Sequence, residues 1–224
     1  MMANEFQKRF DSIANEFEDI IHHYTAQKRY ESFDVKESDV ILEVGSATGN
    51  ITRFIHNQNL VCTDFSFGMC NKAKERASQV ICCSAENLPF RDNVFNKIIC
   101  TEVIYYLTKP ESFIKNSSRI LSDNGTIFIT STNQEMIFVH KIRNFLRRIG
   151  LRNMYFDDGV KSFMDERRVK QMLITNGFTL ERVTKKVILP FESMDKVNKL
   201  LEKTFLKKFS LIVIIEAIIQ KDHN

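Results

Sequence analysis

Five short apolar runs, at residues 40–44, 60–63, 80–83, 97–100 and 126–130, recur along the chain with helix signals between them. A strand with one face in water alternates apolar and polar residues, whereas these runs are continuously apolar. They therefore predict strands buried on both faces, as in a parallel sheet covered by helices. Between the runs, Ser66 is placed to cap a helix carrying Met69, Ala73 and Ala77 on one face. Pro110 sits in the first turn of another bearing Phe113, Ile114 and Leu121, and Thr132 with Glu135 forms a capping-box pattern. The repeated order strand, helix, strand makes the class α/β. From Phe178 the tail reads strand, helix over 191–206, strand. No room is left for another parallel crossover, so the last strand is expected to pair antiparallel.

The chain has 224 residues, which suits one domain with a continuous core, spanning 1–224. Within it, residues 1–36 are expected to form an amphipathic helical cap, with Phe6, Phe10, Ile13, Ala14 and Phe17 at helical spacing. Residues 37–132 form the core and 163–224 the C-terminal helix and strands. Residues 133–162 read as a basic helical insertion, with Phe138, Ile142, Phe145 and Ile149 on one face and a stop at Gly150. From Lys141 to Lys170, nine cations (Lys141, Arg143, Arg147, Arg148, Arg152, Lys161, Arg167, Arg168 and Lys170) face four carboxylates. The overall excess of +4 is therefore local, and too small to imply nucleic acid by itself. Five cysteines, none at metal-ligand spacing, read as small core side chains of a reducing compartment, and no metal site is expected. The longest apolar run, 211–220, is too short to cross a bilayer, and the charged N-terminus lacks a signal-peptide core; the expectation is a cytosolic protein.

Chemistry is concentrated in Val40-Ile-Leu-Glu-Val-Gly-Ser-Ala-Thr-Gly-Asn50, which holds two of the chain's seven glycines. A strand running into a tight small-residue turn and then a helix lets the backbone approach a ligand closely. A dinucleotide fingerprint would need a small residue where Asn50 stands; Gly45, Ala47 and Gly49 follow GxGxG spacing instead, with Ala in the middle. That spacing disfavours an NAD(P) oxidoreductase.

At this loop the chain resembles the class I S-adenosylmethionine (SAM) dependent methyltransferases, specifically the methyltransferase type 11 domain family. Later segments match in order: Asp64-Phe-Ser with Met69, then Ser84-Ala-Glu-Asn-Leu-Pro-Phe90, then Cys100-Thr-Glu-Val-Ile-Tyr-Tyr-Leu107, then Arg119-Ile-Leu-Ser-Asp-Asn-Gly125. The resemblance implies a Rossmann-like, mostly parallel seven-stranded sheet with an antiparallel last strand. It implies SAM as cofactor, leaving as S-adenosylhomocysteine. It also implies a site made by Glu43, Gly45, Ser46, Ala47, Gly49, Asp64, Phe65, Met69, Ser84, Ala85, Glu86 and Thr101. Asp64 would take the ribose diol, an N–H of Ala85 or Glu86 the adenine, Phe65 the adenine face, and the backbone at Thr101 the methionine end. Ser84 stands where the family has Asp, and Tyr106 where it has His, which removes one base.

Methyl transfer is a displacement at a sulfonium carbon, so alignment of the acceptor is the protein's main task. Candidates on the acceptor side are Tyr105, Tyr106, Glu102, the His22-His23-Tyr24 cluster and His140. The expected partner is a small-molecule acceptor with an O, N or C nucleophile; its identity and the oligomeric state are not legible. Two alternatives stay open: a tRNA methyltransferase gripping phosphate with the basic segment, and a SAM-binding protein without transfer activity.

Overall fold

A computed structural model gives the structure of residues 2–21, 23–136, 165–189 and 191–221. Five strands, β1 (Ile41–Val44), β2 (Leu60–Asp64), β3 (Gln79–Cys82), β4 (Phe95–Thr101) and β5 (Leu121–Thr132), run parallel. β6 (Phe178–Lys186) and β7 (Ile212–Ile219) complete one seven-stranded sheet in the order β3-β2-β1-β4-β5-β7-β6, with β7 antiparallel to both neighbours. The expected α/β class, strand positions and antiparallel closure are all present. Among the described residues, no helix is long and apolar enough to cross a membrane.

Side chains alternate across the sheet, so adjacent residues of one strand feed different cores. Leu42, Ile98 and Ile129 pack on one face with Phe113 and Ile114 of α5 (Pro110–Ile120) and Leu173 of α6 (Glu166–Thr175). Ile41, Ile99 and Phe128 pack on the other with Ile51, Ala26 and Phe33. Both faces are dry at the central strands β1, β4 and β5, which is why they read as apolar runs; the edge strand β3 departs from the expected two-faced burial, with Ile81 and Cys82 exposed. A fully buried Phe113 contributes about 1.5–3 kcal/mol by removal from water.

The N-terminal segment is helical but broken into α1 (Met2–Ile13), α2 (Phe17–Ile20) and α3 (His23–Tyr30). Two polar clasps tie it to the sheet domain. Asp11 Oδ1 accepts from Ser66 Oγ (2.6 Å) and from the Gly68 amide (2.9 Å) at the start of α4 (Phe67–Ala73). Ser66 caps α4 as expected, accepting from the Met69 amide at 3.1 Å. The approach of α1 is close here, since a Cβ on Gly68 would stand 3.2 Å from the Asp11 carbonyl oxygen and 3.0 Å from Ala14 Cβ just beyond the helix. In the second clasp, Glu18 accepts from Thr48, Arg53 and Arg76. Although burial opposes it, those bonds hold the Glu18 carboxyl below its ordinary range.

Several local expectations are corrected. α5 ends at Ile120, and Leu121 opens β5, since Phe95 pairs with it. Thr132 is the last residue of β5 and gives its hydroxyl to Glu102; Asn133 instead accepts from the Glu135 amide, capping a 3₁₀ turn (Gln134–Met136). The helix expected over 191–206 shortens to α7 (Asp195–Leu201) between two 3₁₀ turns. Cys62, Cys70 and Cys100 are buried, but Cys82 is exposed on edge strand β3. The basic helix with Lys141, Arg143, Arg147 and Arg148 lies outside the described residues, as do His22 and His140.

Candidate active site

The carboxyl ends of β1, β2, β3, β4 and β5 converge on a cavity of about 360 Å³. This is where a parallel open sheet offers room, because the connections diverge there. After β1 the chain turns at Gly45 (φ +71°), and Ala47 also lies in the left-handed region (φ +49°). The Gly45 and Ser46 amides donate to the Thr63 carbonyl (2.7 and 2.9 Å), and the Ala47 amide donates to Asp64 Oδ2 (2.8 Å). These N–H groups therefore do not point at a ligand, as the loop pattern suggested; they bind β2 and hold Asp64 in place. Gly45 must be glycine, because a Cβ there would meet Val103 Cγ2 at 2.1 Å.

Asp64 ends β2 and lines the cavity. Its Oδ1 accepts from the Ser66 amide at 2.9 Å, and each carboxylate oxygen keeps a lone pair for a ligand. Burial pushes its pKa up to about 6 against the pull of the backbone N–H groups. Phe65, Met69, Ser84, Ala85, Glu86 and Thr101 all line the cavity with it, as do Gly45, Ser46 and Ala47. Glu43 and Gly49 do not. Glu43 lies fully buried beneath the loop, accepts from Thr52 Oγ1 at 2.5 Å, and has its pKa pushed up to about 7 by burial. The Glu86 carboxylate also turns away: it accepts from the Thr108 and Lys109 amides (2.6 and 2.9 Å) ahead of α5, which holds it below its usual range although burial opposes this. Ser84 Oγ accepts from the Glu86 amide at 3.2 Å, fixing the turn.

On the acceptor side, Glu102 and Tyr105 come together. Glu102 has φ +59° and its Oε2 accepts from Tyr105 Oη (2.7 Å), Thr132 Oγ1 (2.7 Å) and the Thr132 amide (3.1 Å). Its Oε1 pairs with Arg29 of α3 at 3.2 Å. Tyr106 stands edge-on to Phe6 and Phe10, at 5.3 and 5.4 Å between ring centroids. His23 is exposed beside Arg53, and Tyr24 bonds Asp195 and Asn198, so neither reaches the cavity. The sequence did not point to Arg29, Thr25 or Asn50 as wall residues. A lone cation in a helix carries no pattern of its own. The helical recurrence of Phe6, Phe10 and Phe17 was the available clue to the aromatic wall. Among the described residues no cluster of His, Cys, Asp or Glu could hold a metal ion.

The donor set fits a polar cofactor with a sugar diol and an amino-acid end. Asp64 offers acceptors, Arg29 a cation, and the buried Ser46 Oγ and Asn50 Oδ1 in the wall have no hydrogen-bond partner among the described residues. With this sheet order and loop, the fold and site define a Rossmann-like class I methyltransferase, whose cofactor is SAM.

Comparison narrows the likeness: residues 42–129 match the methyltransferase domain family, type 11. A protein of Methanocaldococcus jannaschii without assigned function is 28% identical over 159 residues, covering 70% of this chain and 72% of its own. Demethylmenaquinone methyltransferase of Corynebacterium urealyticum is 22% identical over 160 residues, covering 65% of this chain and 70% of its own. The fold is shared over 100% of both chains, at TM-score 0.74 and 14% identity, with a Haloferax volcanii methyltransferase solved in complex with the Trm112 methyltransferase activator.

Proposed function

We propose that this methyltransferase moves a methyl group from SAM to an O, N or C atom of a small molecule with an aromatic or hydrocarbon body. The observation that carries this reading is the composition of the cavity at the carboxyl ends of the strands. Its cofactor side is polar and strand-built, while its other side is an aromatic wall from α1 and α2, where Phe6 and Phe10 meet Tyr106 and Phe17 packs edge-on to Phe10. Such a wall recognises an apolar body and excludes water.

In this reading Asp64 accepts both ribose hydroxyls and Phe65 covers the adenine, whose edge meets the Ala85 amide, since the Glu86 amide is taken by Ser84 Oγ. Arg29 takes the methionine carboxylate beside the Thr101 backbone. SAM supplies an electrophilic methyl group with a good leaving group. The chain's own contribution is alignment, which supplies roughly 7–11 kcal/mol in favourable cases. Glu102 and Tyr105 form a hydrogen-bonded pair at the acceptor end, suited to orienting a hydroxyl or amine and to receiving its proton. Residues 1–36 act as a cap over the acceptor.

Labelled-methyl transfer from SAM to pooled small molecules and to tRNA tests the reading. Transfer to small molecules is the expected result. Transfer to tRNA alone would favour the nucleic-acid alternative, and SAM binding without transfer to either would favour a non-catalytic role.

A further inference from the structure

Residues 191–209 cross the surface as a 3₁₀ turn, α7 and a second 3₁₀ turn (Phe205–Phe209). The inner side is well anchored. Buried Asn198 donates to the Leu189 carbonyl (2.8 Å) and Tyr24 Oη (3.0 Å) and accepts from the Ile188 and Leu189 amides (3.1 and 2.8 Å). Asn133 donates to the carbonyls of Lys208 and Ser210 at 2.8 and 2.9 Å.

The outer side is unlike an ordinary solvated face. Phe191, Leu200 and Phe205 are 58%, 67% and 76% exposed, and Val197 and Phe209 are exposed with them. Lys196, Lys199, Lys203, Lys207 and Lys208 are interleaved with these and also exposed. Asp195 is taken up by Lys28 and Lys199 (2.9 and 2.8 Å), and Glu202 accepts from the Val187 amide. Among the described residues, no carboxylate pairs with Lys196, Lys203, Lys207 or Lys208. A rigidly based surface that holds large apolar side chains in water, with an excess of cations over carboxylate partners among them, is matched to something apolar and anionic at once.

We propose that this surface docks the protein on an anionic lipid bilayer. Phe191, Leu200, Phe205 and Phe209 would enter the headgroup boundary while the lysines meet lipid phosphates. The residue types favour lipid over nucleic acid. No arginine follows Arg182, so the forked donor used for fixed phosphates and bases is absent from the surface, whereas lysine point charges suit a fluid headgroup layer. Leu200, among the most exposed of the apolar side chains, has no ring on which a base could stack.

The placement connects the surface to the cavity. Tyr24 links α7 to α3, which supplies Arg29 to the cavity wall, and Asn133 follows Thr132, another wall residue. Docking itself needs only the surface. Resting on the methyl-transfer reading, it further implies that the acceptor is a lipid-soluble molecule taken up from the bilayer side.

Vesicle flotation of the full chain tests docking, using phosphatidylcholine vesicles with and without phosphatidylglycerol. The wild-type protein should float with the anionic vesicles, less so as salt rises. Leu200→Ser with Phe205→Ser, and separately Lys203→Glu with Lys207→Glu, should each lower partitioning at least roughly tenfold, with SAM affinity and melting temperature unchanged. Wild-type protein that stays unbound, or a serine variant that floats like wild type, would overturn the proposal. So would tRNA binding sensitive to the lysine changes alone. Because SAM affinity is read separately in every variant, loss of docking and failure of the methyl-transfer reading remain distinguishable.

Discussion

Replacing Gly45 by alanine should damage the protein through two separable effects. At φ +71° an L side chain costs roughly 1–2 kcal/mol. The new Cβ would also stand 2.1 Å from Val103 Cγ2, far inside ordinary carbon contact, and forcing such overlap adds about 1–3 kcal/mol. The sum, roughly 2–5 kcal/mol, is a large part of a typical domain stability of about 5–15 kcal/mol. Val103→Ala removes the clashing methyl; in that background only the backbone cost remains, so the cycle should give a favourable coupling of about 1–3 kcal/mol. Urea unfolding followed by circular dichroism measures all four proteins, with equal m-values as the check on two-state behaviour. SAM affinity should fall in the single variant and return in part in the double. A Gly45→Ala cost below about 0.5 kcal/mol, or no coupling with Val103→Ala, would refute the packing argument for this glycine.

Asp64→Ala should weaken SAM binding by about 1.5–3 kcal/mol, while Asp92→Ala, which loses only an exposed pair with Arg119, should leave it unchanged by calorimetry. Asp64 and Glu43 have native pKa values raised to about 6 and about 7, so the ligand-free protein should lose stability as pH climbs from about 4 to 7, in denaturant midpoints taken across that range. SAM affinity should run the other way, falling as pH drops through about 6 and Asp64 protonates; Asp64→Asn should flatten that dependence. Hydrogen exchange in α1–α3 should slow when SAM and acceptor bind, because Phe6, Phe10, Phe17 and Arg29 line the cavity; unchanged exchange would make the segment a fixed part of the fold.

The sheet was legible because burial on both faces removes polar residues from its strands, and residues 41–44 or 98–100 have no other way to be accommodated. Gly45, Asp64 and Ser66 were legible because each occupies a position that its chemistry alone can fill: a left-handed turn, a paired acceptor and a helix cap. Helix ends were not. Leu121 suits a helix face and a buried strand equally, and only pairing with Phe95 decides. Thr132 lost its expected cap to a distant carboxylate, Glu102, which no local pattern signals. The direction of the loop amides was hidden for the same reason, since their acceptors, Thr63 and Asp64, come from the next strand. Glu86 looked like a cofactor residue by position, yet its carboxylate serves the turn before α5.

Isothermal titration of the purified chain with S-adenosylhomocysteine, beside NAD and beside the Asp64→Ala variant, tests the assignment of the cofactor to the Asp64 site. One-to-one binding of S-adenosylhomocysteine is expected, with no heat from NAD and a tenfold or greater loss in the variant, corresponding to at least about 1.4 kcal/mol. Heat with NAD and none with S-adenosylhomocysteine, or equal affinity in a folded Asp64→Ala protein, would contradict it.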